Sequence, residues 1–283
     1  GVYLVGTPGM SELLLITDSD DAPSTSVWWD AVLFTGSRLK WSGIVGVRIR
    51  HQGGRRNNTA SIAVRADASR VEVRDCDIDG SIGSAIVVEG NTPTPYPTYC
   101  MIRDNKISNT VRHGVYLSGS THNRVLNNWF FTTRLESIAL RNPHDNDVSG
   151  NTIVGDSTQY PPHAIAIAQP SSGIYVVKRL KVNRNQMIGI SGAGFYGQGV
   201  GATLTQCDIS DNVVQAMQAP DSVSHGMMFF RTSYSRIEDN IIVGGKNRGM
   251  MFYGCTHNSI RRNKINNVNS ANAAVGAMQF AEY

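Results

Sequence analysis

Met101-Ile102-Arg103-Asp104-Asn105-Lys106-Ile107, Arg124-Val125-Leu126-Asn127-Asn128-Trp129-Phe130 and Asp147-Val148-Ser149-Gly150-Asn151-Thr152-Ile153 are one seven-residue phrase written three times, 23 residues apart. From its second position the phrase reads apolar, two further residues, Asn, any residue, apolar. It returns at Val182 to Met187 around Asn185, Ile209 to Val214 around Asn212, Ile237 to Ile242 around Asn240 and Ile260 to Ile265 around Asn263. An earlier copy, Val73 to Ile78, carries Cys76 in the Asn slot, and Ile44 to Ile49 with Val47 is a degenerate first one. From residue 76 onward the slots are 29, 23, 23, 34, 27, 28 and 23 residues apart. Such a period is the mark of a repeat architecture.

A second unit follows, usually ten residues after the slot: a small residue and then alternating apolars. Copies are Ser61-Ile62-Ala63-Val64, Ser84-Ala85-Ile86-Val87-Val88, His113-Gly114-Val115-Tyr116-Leu117, Ser137-Ile138-Ala139-Leu140, His163-Ala164-Ile165-Ala166-Ile167, His225-Gly226-Met227-Met228-Phe229 and Arg248-Gly249-Met250-Met251-Phe252. Apolar spacing of two in short runs bounded by Gly, Asn and Asp predicts strands rather than helices. A unit of this size cannot bury its apolar face alone, so its copies must stack with parallel strands into one core. The LxxLxLxxN order of leucine-rich repeats is absent.

The pattern resembles the right-handed parallel β-helix of the pectate lyase-like superfamily over roughly residues 40 to 283. In that fold the recurrent Asn forms a hydrogen-bonded ladder inside a turn, a role that suits a side chain able to satisfy turn backbone groups. The expectation is an all-β, single-stranded solenoid of about nine coils over residues 41–283, preceded by irregular N-terminal coils or a cap over residues 1–40. There Thr7-Pro8-Gly9 and Asp20-Asp21-Ala22-Pro23 signal turns, and Leu13 to Ile16 and Val32 to Phe34 are strand-like. Ala274 to Phe280 reads as the opening strand of another coil, and an end face of this kind needs a cap or a neighbour.

Composition fits a large ordered domain: 283 residues, 41% hydrophobic, 17% charged, net charge +4. No apolar run reaches the roughly 18 residues of a membrane helix. The basic residues are 20 Arg against 6 Lys, and Arg grips carboxylates bidentately. The four cysteines (Cys76, Cys100, Cys207, Cys255) lack CxxC spacing, so no sulfur-bound metal is indicated, and Cys76 and Cys207 stand too many coils apart to bridge. Gly53 to Asn58 and Arg261-Arg262 read as solvated basic turns rather than nucleic-acid contacts. The glycines of Gly189 to Gly201 read as an expanded turn.

Function in such a solenoid rests on the side chains that project outward. In the second unit Tyr116 and Ser118 are expected to point out, Val115 and Leu117 in. Aligned copies give three outward columns. The one that opens the strand runs Ser84, His113, Glu136, His163, Ala193, His225, Arg248. The next runs Ala63, Val87, Tyr116, Ala139, Ala166, Tyr196, Met228, Met251, and the last Arg65, Glu89, Ser118, Arg141, Ala168, Gln198, Phe230, Tyr253. In the superfamily this face usually forms the glycan groove. The resemblance therefore implies a polysaccharide substrate, with Arg65, Ser118, Tyr196, Gln198, Phe230 and Tyr253 as substrate-binding candidates and Ala139 and Ala166 as a floor.

Catalytic candidates are His113, Tyr116, Glu136, Arg141, His163 and Glu89. A lyase needs a base near working pH and a cation on the uronate carboxylate, for which His113 or His163 with Tyr116 and Arg141 serve. A hydrolase needs two carboxylates about 5 to 9.5 Å apart, and Glu89 and Glu136, two coils apart, are expected at about 10 Å. Asn142-Pro143-His144-Asp145 echoes the Asp-Pro-His-Asp motif of alginate C5-epimerases, with Asn142 replacing the family's acid. Insertions at Asn91 to Tyr99 and Asp156 to Pro162 are expected to wall the groove.

Free thiols and the unfinished last coil resemble a bacteriophage tailspike or tail-fibre depolymerase most closely. That resemblance implies a homotrimer on a virion tail acting on capsule, exopolysaccharide or O-antigen, without nucleic-acid partner or membrane insertion. No cofactor is implied, with a divalent cation such as calcium left open. The alternatives are a secreted cellular lyase, hydrolase or epimerase, and a receptor-binding or structural tail protein that binds glycan without cutting it.

Overall fold

The computed structural model describes residues 3–7, 11–17, 30–35, 41–53, 60–65, 68–90, 97–155, 163–167, 175–197, 202–216, 225–245, 247–268 and 277–281. The chain is a right-handed parallel β-helix. Three sheets of ten strands each run its length, and every strand pairs in parallel with its counterpart one coil away. The first sheet begins with Tyr3–Val5 and ends with Ser259–Arg261, the second runs from Glu12–Thr17 to Lys264–Asn266, and the third from Asp30–Thr35 to Met278–Ala281. Among the described residues there is no helix, and none is long and apolar enough to cross a membrane.

Residues 41–283 hold the expected nine coils, nine strands to each sheet, and the strands ahead of them add a tenth. Tyr3, Leu13 and Val32 pair with Gly43, Ile49 and Ile62 in the register used everywhere else. Tyr3–Val5, Glu12–Thr17 and Asp30–Thr35 thus continue the three sheets by one strand each, hidden in the sequence because they are spread further apart than the strands of later coils.

Two turns of each coil share one device. Between the first and second sheets a residue at positive φ precedes one that faces the core: Asp75, Asp104, Asn127, Gly150, Arg184, Asp211, Asp239 and Arg262 precede Cys76 and the seven recurrent asparagines, all buried but the half-buried Asn263. Those asparagines form the expected ladder. Oδ1 of Asn151 accepts both the backbone N–H (2.9 Å) and the Nδ2–H (3.0 Å) of Asn128, while its own Nδ2 donates to Val125 O (2.9 Å) and to Asn185 Oδ1 (2.9 Å). Asn105, Asn185, Asn212 and Asn240 repeat the pattern. Between the third and first sheets a second, mixed column passes unannounced by the repeat: Cys100 N–H donates to Asn123, Asn123 N–H to Asn146, and Cys207 N–H to Ser235.

The small residue that opens the second unit has a steric cause. A Cβ on Gly114 would come within 2.6 Å of Phe130, and Gly194, Gly226 and Gly249 would meet Val214, Ile242 and Ile265 as closely. This position faces the core at the corner against the second sheet, and the apolar residue after it faces inward as well. Two inward residues in succession turn the preceding one, the strand-opening position, away from the core, where Ser84, His113, Ala193 and His225 are nonetheless buried among their neighbours. Phe195, Phe229 and Phe252 stack inside the later coils with centroids 5.5 and 5.1 Å apart, each worth about 1.5–3 kcal/mol of burial. Cys76, Cys100 and Cys207 are buried and, like the half-buried Cys255, unpaired with any sulfur.

Candidate functional site

The third-sheet registers align the strand-opening column as read from the sequence. Val115 pairs with Ile86 and Ile138, Ile138 with Ile165, His163 with Ala193, Ala193 with His225 and His225 with Arg248. His113, Glu136 and His163 therefore stand on three successive coils. Nδ1 of His113 lies 3.0 Å from Oε2 of Glu136, an ion-pair distance whose direction falls short of a linear hydrogen bond. Nδ1 of His163 accepts the backbone N–H of Ala193 at 3.0 Å, which leaves its proton on Nε2 whenever the ring is neutral. Tyr116 stacks on His113 with centroids 5.2 Å apart, and Tyr196 on His163 at 3.9 Å with the planes 8° from parallel.

The electrostatics set the carboxylate of Glu136 apart from the imidazoles of His163 and His225. Burial pushes the Glu136 carboxyl up, but the pull of His113, with a smaller one from His163, outweighs it, and the net pKa is lowered. Burial holds His163 down to about 4 against the opposing charge of Glu136. His225 also falls to about 4, through burial and then the nearby Arg248. Tyr196 is raised, by burial first and by Glu136 second. Near neutral pH the site thus holds an ionised Glu136 between two histidines, of which His163 is a fixed neutral N–H donor.

The remaining candidates form a second cluster. Arg65, Glu89, Ser118 and Arg141 share a column, and Phe230 and Tyr253 continue it, packed at 5.7 Å. This column lies five residues further along the strands, roughly 16 Å from Glu136 at about 3.3 Å per residue. Glu89 is held by Arg65 at 2.8 Å, on the side away from Glu136. Counting both the coil spacing and the strand offset, Glu89 and Glu136 have backbones roughly 19 Å apart, not the expected 10, because they occupy different columns. They do not form a hydrolase pair, and Arg141 is likewise remote from the His–Glu column. Ala139 and Ala166 are fully buried, so the expected floor is closed over by its neighbours rather than left open. Gln198, Ala168 and the insertions 91–96 and 156–162 lie outside the described residues.

The Asn142-to-Asp145 segment is a turn. Asn142 and Asp145 have φ of 51° and 54°, His144 Nδ1 accepts Lys178 N–H at 3.3 Å, and Asp145 grips Arg179 through both oxygens. These contacts give His144 and Asp145 a role in holding the turn to the next coil.

Residues 58–216 match the family model described as "Periplasmic copper-binding protein (NosD)", and residues 164–279 match the "Right handed beta helix region". Among curated proteins, none matches the sequence significantly. Solved structures share the fold at low identity. The surface adhesin PfbA of Streptococcus pneumoniae is 12% identical over 96% of this chain and 83% of its own, with a TM-score of 0.66. The tailspike of Escherichia coli bacteriophage HK620 is 14% identical over 94% and 58%, with a TM-score of 0.62. The catalytic unit of a GH87 α-1,3-glucanase from Streptomyces thermodiastaticus is 14% identical over 95% and 52%, with a TM-score of 0.58. The chain spans little more than half the length of the last two.

Proposed function

This chain belongs to the NosD family of β-helical proteins, and from that premise we propose that its third-sheet face binds an extended polysaccharide and cleaves it, as an extracytoplasmic depolymerase of tailspike type. The observation that carries the reading is the column His113–Glu136–His163, in which one carboxylate orients a histidine base beside a neutral imidazole donor. Base, orienting carboxylate and fixed donor are what proton abstraction next to a carboxylate requires. In a uronate-containing chain, His113 removes the C5 proton and Glu136 stabilises the imidazolium so formed. The C4–O bond breaks, C4=C5 forms, and the leaving oxygen takes a proton from Tyr116 or water. The Nε2–H of His163 supports the charge that develops on the uronate carboxylate. Tyr116 and Tyr196 flank the site with aromatic surface suited to sugar rings. The wide separation of Glu89 from Glu136 favours elimination over two-carboxylate hydrolysis.

Copper, which the family description carries, does not fit these residues. Copper takes imidazole and soft sulfur donors in a convergent set. Among the described residues no three His, Cys, Asp or Glu side chains converge, and His163 Nδ1 is already occupied by Ala193. No step is routed through the metal.

We take a bacterial capsule, exopolysaccharide or O-antigen as the substrate and a parallel homotrimer as the working form. The exposed Trp129–Phe131 pair on the outer second sheet, stacked at 5.6 Å, offers apolar surface for a second copy. The likeness to the adhesin PfbA supports a second reading, glycan binding without turnover. Incubation with a panel of bacterial surface polysaccharides separates the two. Appearance of the ultraviolet absorbance of an unsaturated uronate supports the lyase, new reducing ends without it indicate a hydrolase, and binding with neither product leaves the adhesin reading.

A further inference from the structure

A second column of side chains runs along the corner between the third and first sheets, on the positive-φ residues of that turn: Trp41, Arg70, Tyr99, His122, Asp145 and Arg179. Left-handed backbone aims each of these side chains outward, one per coil, and successive members stack. The Arg70 guanidinium lies 4.9 Å from the Trp41 ring and 5.8 Å from the Tyr99 ring, Tyr99 stacks on His122 at 4.9 Å, and Asp145 closes the run by pairing with Arg179. Beside its first three members is a cavity of about 390 Å³, walled by Tyr3, Trp41, Tyr99 and Met101 with Arg70 and Glu72 as its charged groups. Gly43 makes it possible: a Cβ there would come within 2.9 Å of the Tyr3 ring.

The charges in this cavity are unequal. Glu72 is neutralised by Arg103 at 2.9 Å, with Arg74 at 3.5 Å. Arg70 is exposed, and among the described residues no carboxylate pairs with it. The guanidinium lies between the two rings, and a guanidinium so placed can take a carboxylate bidentately. Aromatic walls of this size accept the C–H face of one or two pyranose rings.

We propose that this corner cavity is a second carbohydrate site, separate from the third-sheet column, that takes an acidic sugar residue with its carboxylate on Arg70 and its ring against Trp41 and Tyr3. Its place on a different corner of the coil lets it hold a polysaccharide while the third-sheet face acts on another stretch. The test titrates the whole protein with oligogalacturonate, a hyaluronan oligosaccharide, oligosialate and neutral maltohexaose, following tryptophan fluorescence and calorimetry. The expected result is saturable binding of at least one acidic probe, weakened about tenfold or more by Arg70→Gln and only partly restored by Arg70→Lys. Trp41→Phe should remove the fluorescence change, and Glu136→Gln should leave this binding in place even where polysaccharide turnover is absent. If Arg70→Gln, folded with unaltered Tm, binds every acidic probe as the parent does, or maltohexaose binds as tightly, the proposal is overturned.

Discussion

Two of the polar columns built on the coil repeat, the asparagine ladder and the strand-opening column, differ in how completely their hydrogen bonds are met. Inside, each central ladder asparagine has both amide atoms occupied by the coils above and below. Outside, the strand-opening column mixes types: His113 meets Glu136 off-axis, and the Nδ1 of His225 and Nε of Arg248 are enclosed with no hydrogen-bond partner among the described residues. Unmet buried polar groups cost stability, so a column that tolerates them is not organised for stability. The inner column holds the coils together, and the outer one is where chemistry is expected.

Substitutions sharpen this contrast. Glu136→Gln should lower polysaccharide turnover by about 100-fold or more while moving the melting temperature little, as read by product assay and thermal denaturation on the same preparation. Asn151→Ala should do the reverse. It strands the Asn128 N–H and the Val125 carbonyl inside the turn and should cost about 2–4 kcal/mol, seen as a lowered Tm, with turnover per folded molecule kept. If Glu136→Gln unfolded the chain or Asn151→Ala spared it, the division between the columns would be lost.

The inner column was the more legible in sequence because its demand is uniform: every turn offers the same N–H and C=O groups, and Asn answers them each time. Registers follow from that repeat, so the outward columns aligned as read. What escaped were features that the repeat does not encode. The first coil, Tyr3 to Thr35, has turns too long to show the period. The mixed column of Cys100, Asn123, Asn146, Cys207 and Ser235 uses several residue types for one task, so no single letter marks it, though positive-φ residues such as His122 and Asp145 precede it. The Glu89–Glu136 separation is not legible from the repeat, because the coil period carries no sign of the five-residue offset along the strand that puts the two carboxylates in different columns. Arg70 was passed over since an isolated Arg in a turn has no pattern until Trp41 and Tyr99 are seen on either side.

Acid should distinguish the columns next. His163 and His225 have folded pKa values near 4 against about 6.5 when unfolded. The unfolded chain therefore binds more protons between these values, and stability falls as pH drops from about 6.5 to about 4. Glu136, lowered in the fold, adds stability that is present above its unfolded pKa and is lost as pH falls through the folded one. A double His163→Ala, His225→Ala variant should flatten the slope of stability between about pH 6.5 and 4, measured by denaturant unfolding at stepped pH. Ladder substitutions carry no titrating group and should shift the whole curve without changing its shape.

The smallest effect lies where the inner column stops. Cys76 fills the ladder slot one coil before Asn105, and its backbone N–H already donates to Asn105 Oδ1 at 3.0 Å. Its thiol reaches toward Ile44 O at 3.8 Å, the carbonyl to which an asparagine amide would donate, since Asn105 donates to Val73 O, the partner of Ile44 one coil on. A Cys76→Asn substitution should extend the ladder by one rung, with Nδ2 donating to Ile44 O and Oδ1 left facing Val47. One good hydrogen bond gained against one acceptor left incompletely met predicts a gain of no more than about 1 kcal/mol. Thermal unfolding under reducing conditions measures it, and a clear loss of stability would mean that the slot is shaped for sulfur and that the two columns differ in packing as well as in hydrogen bonding.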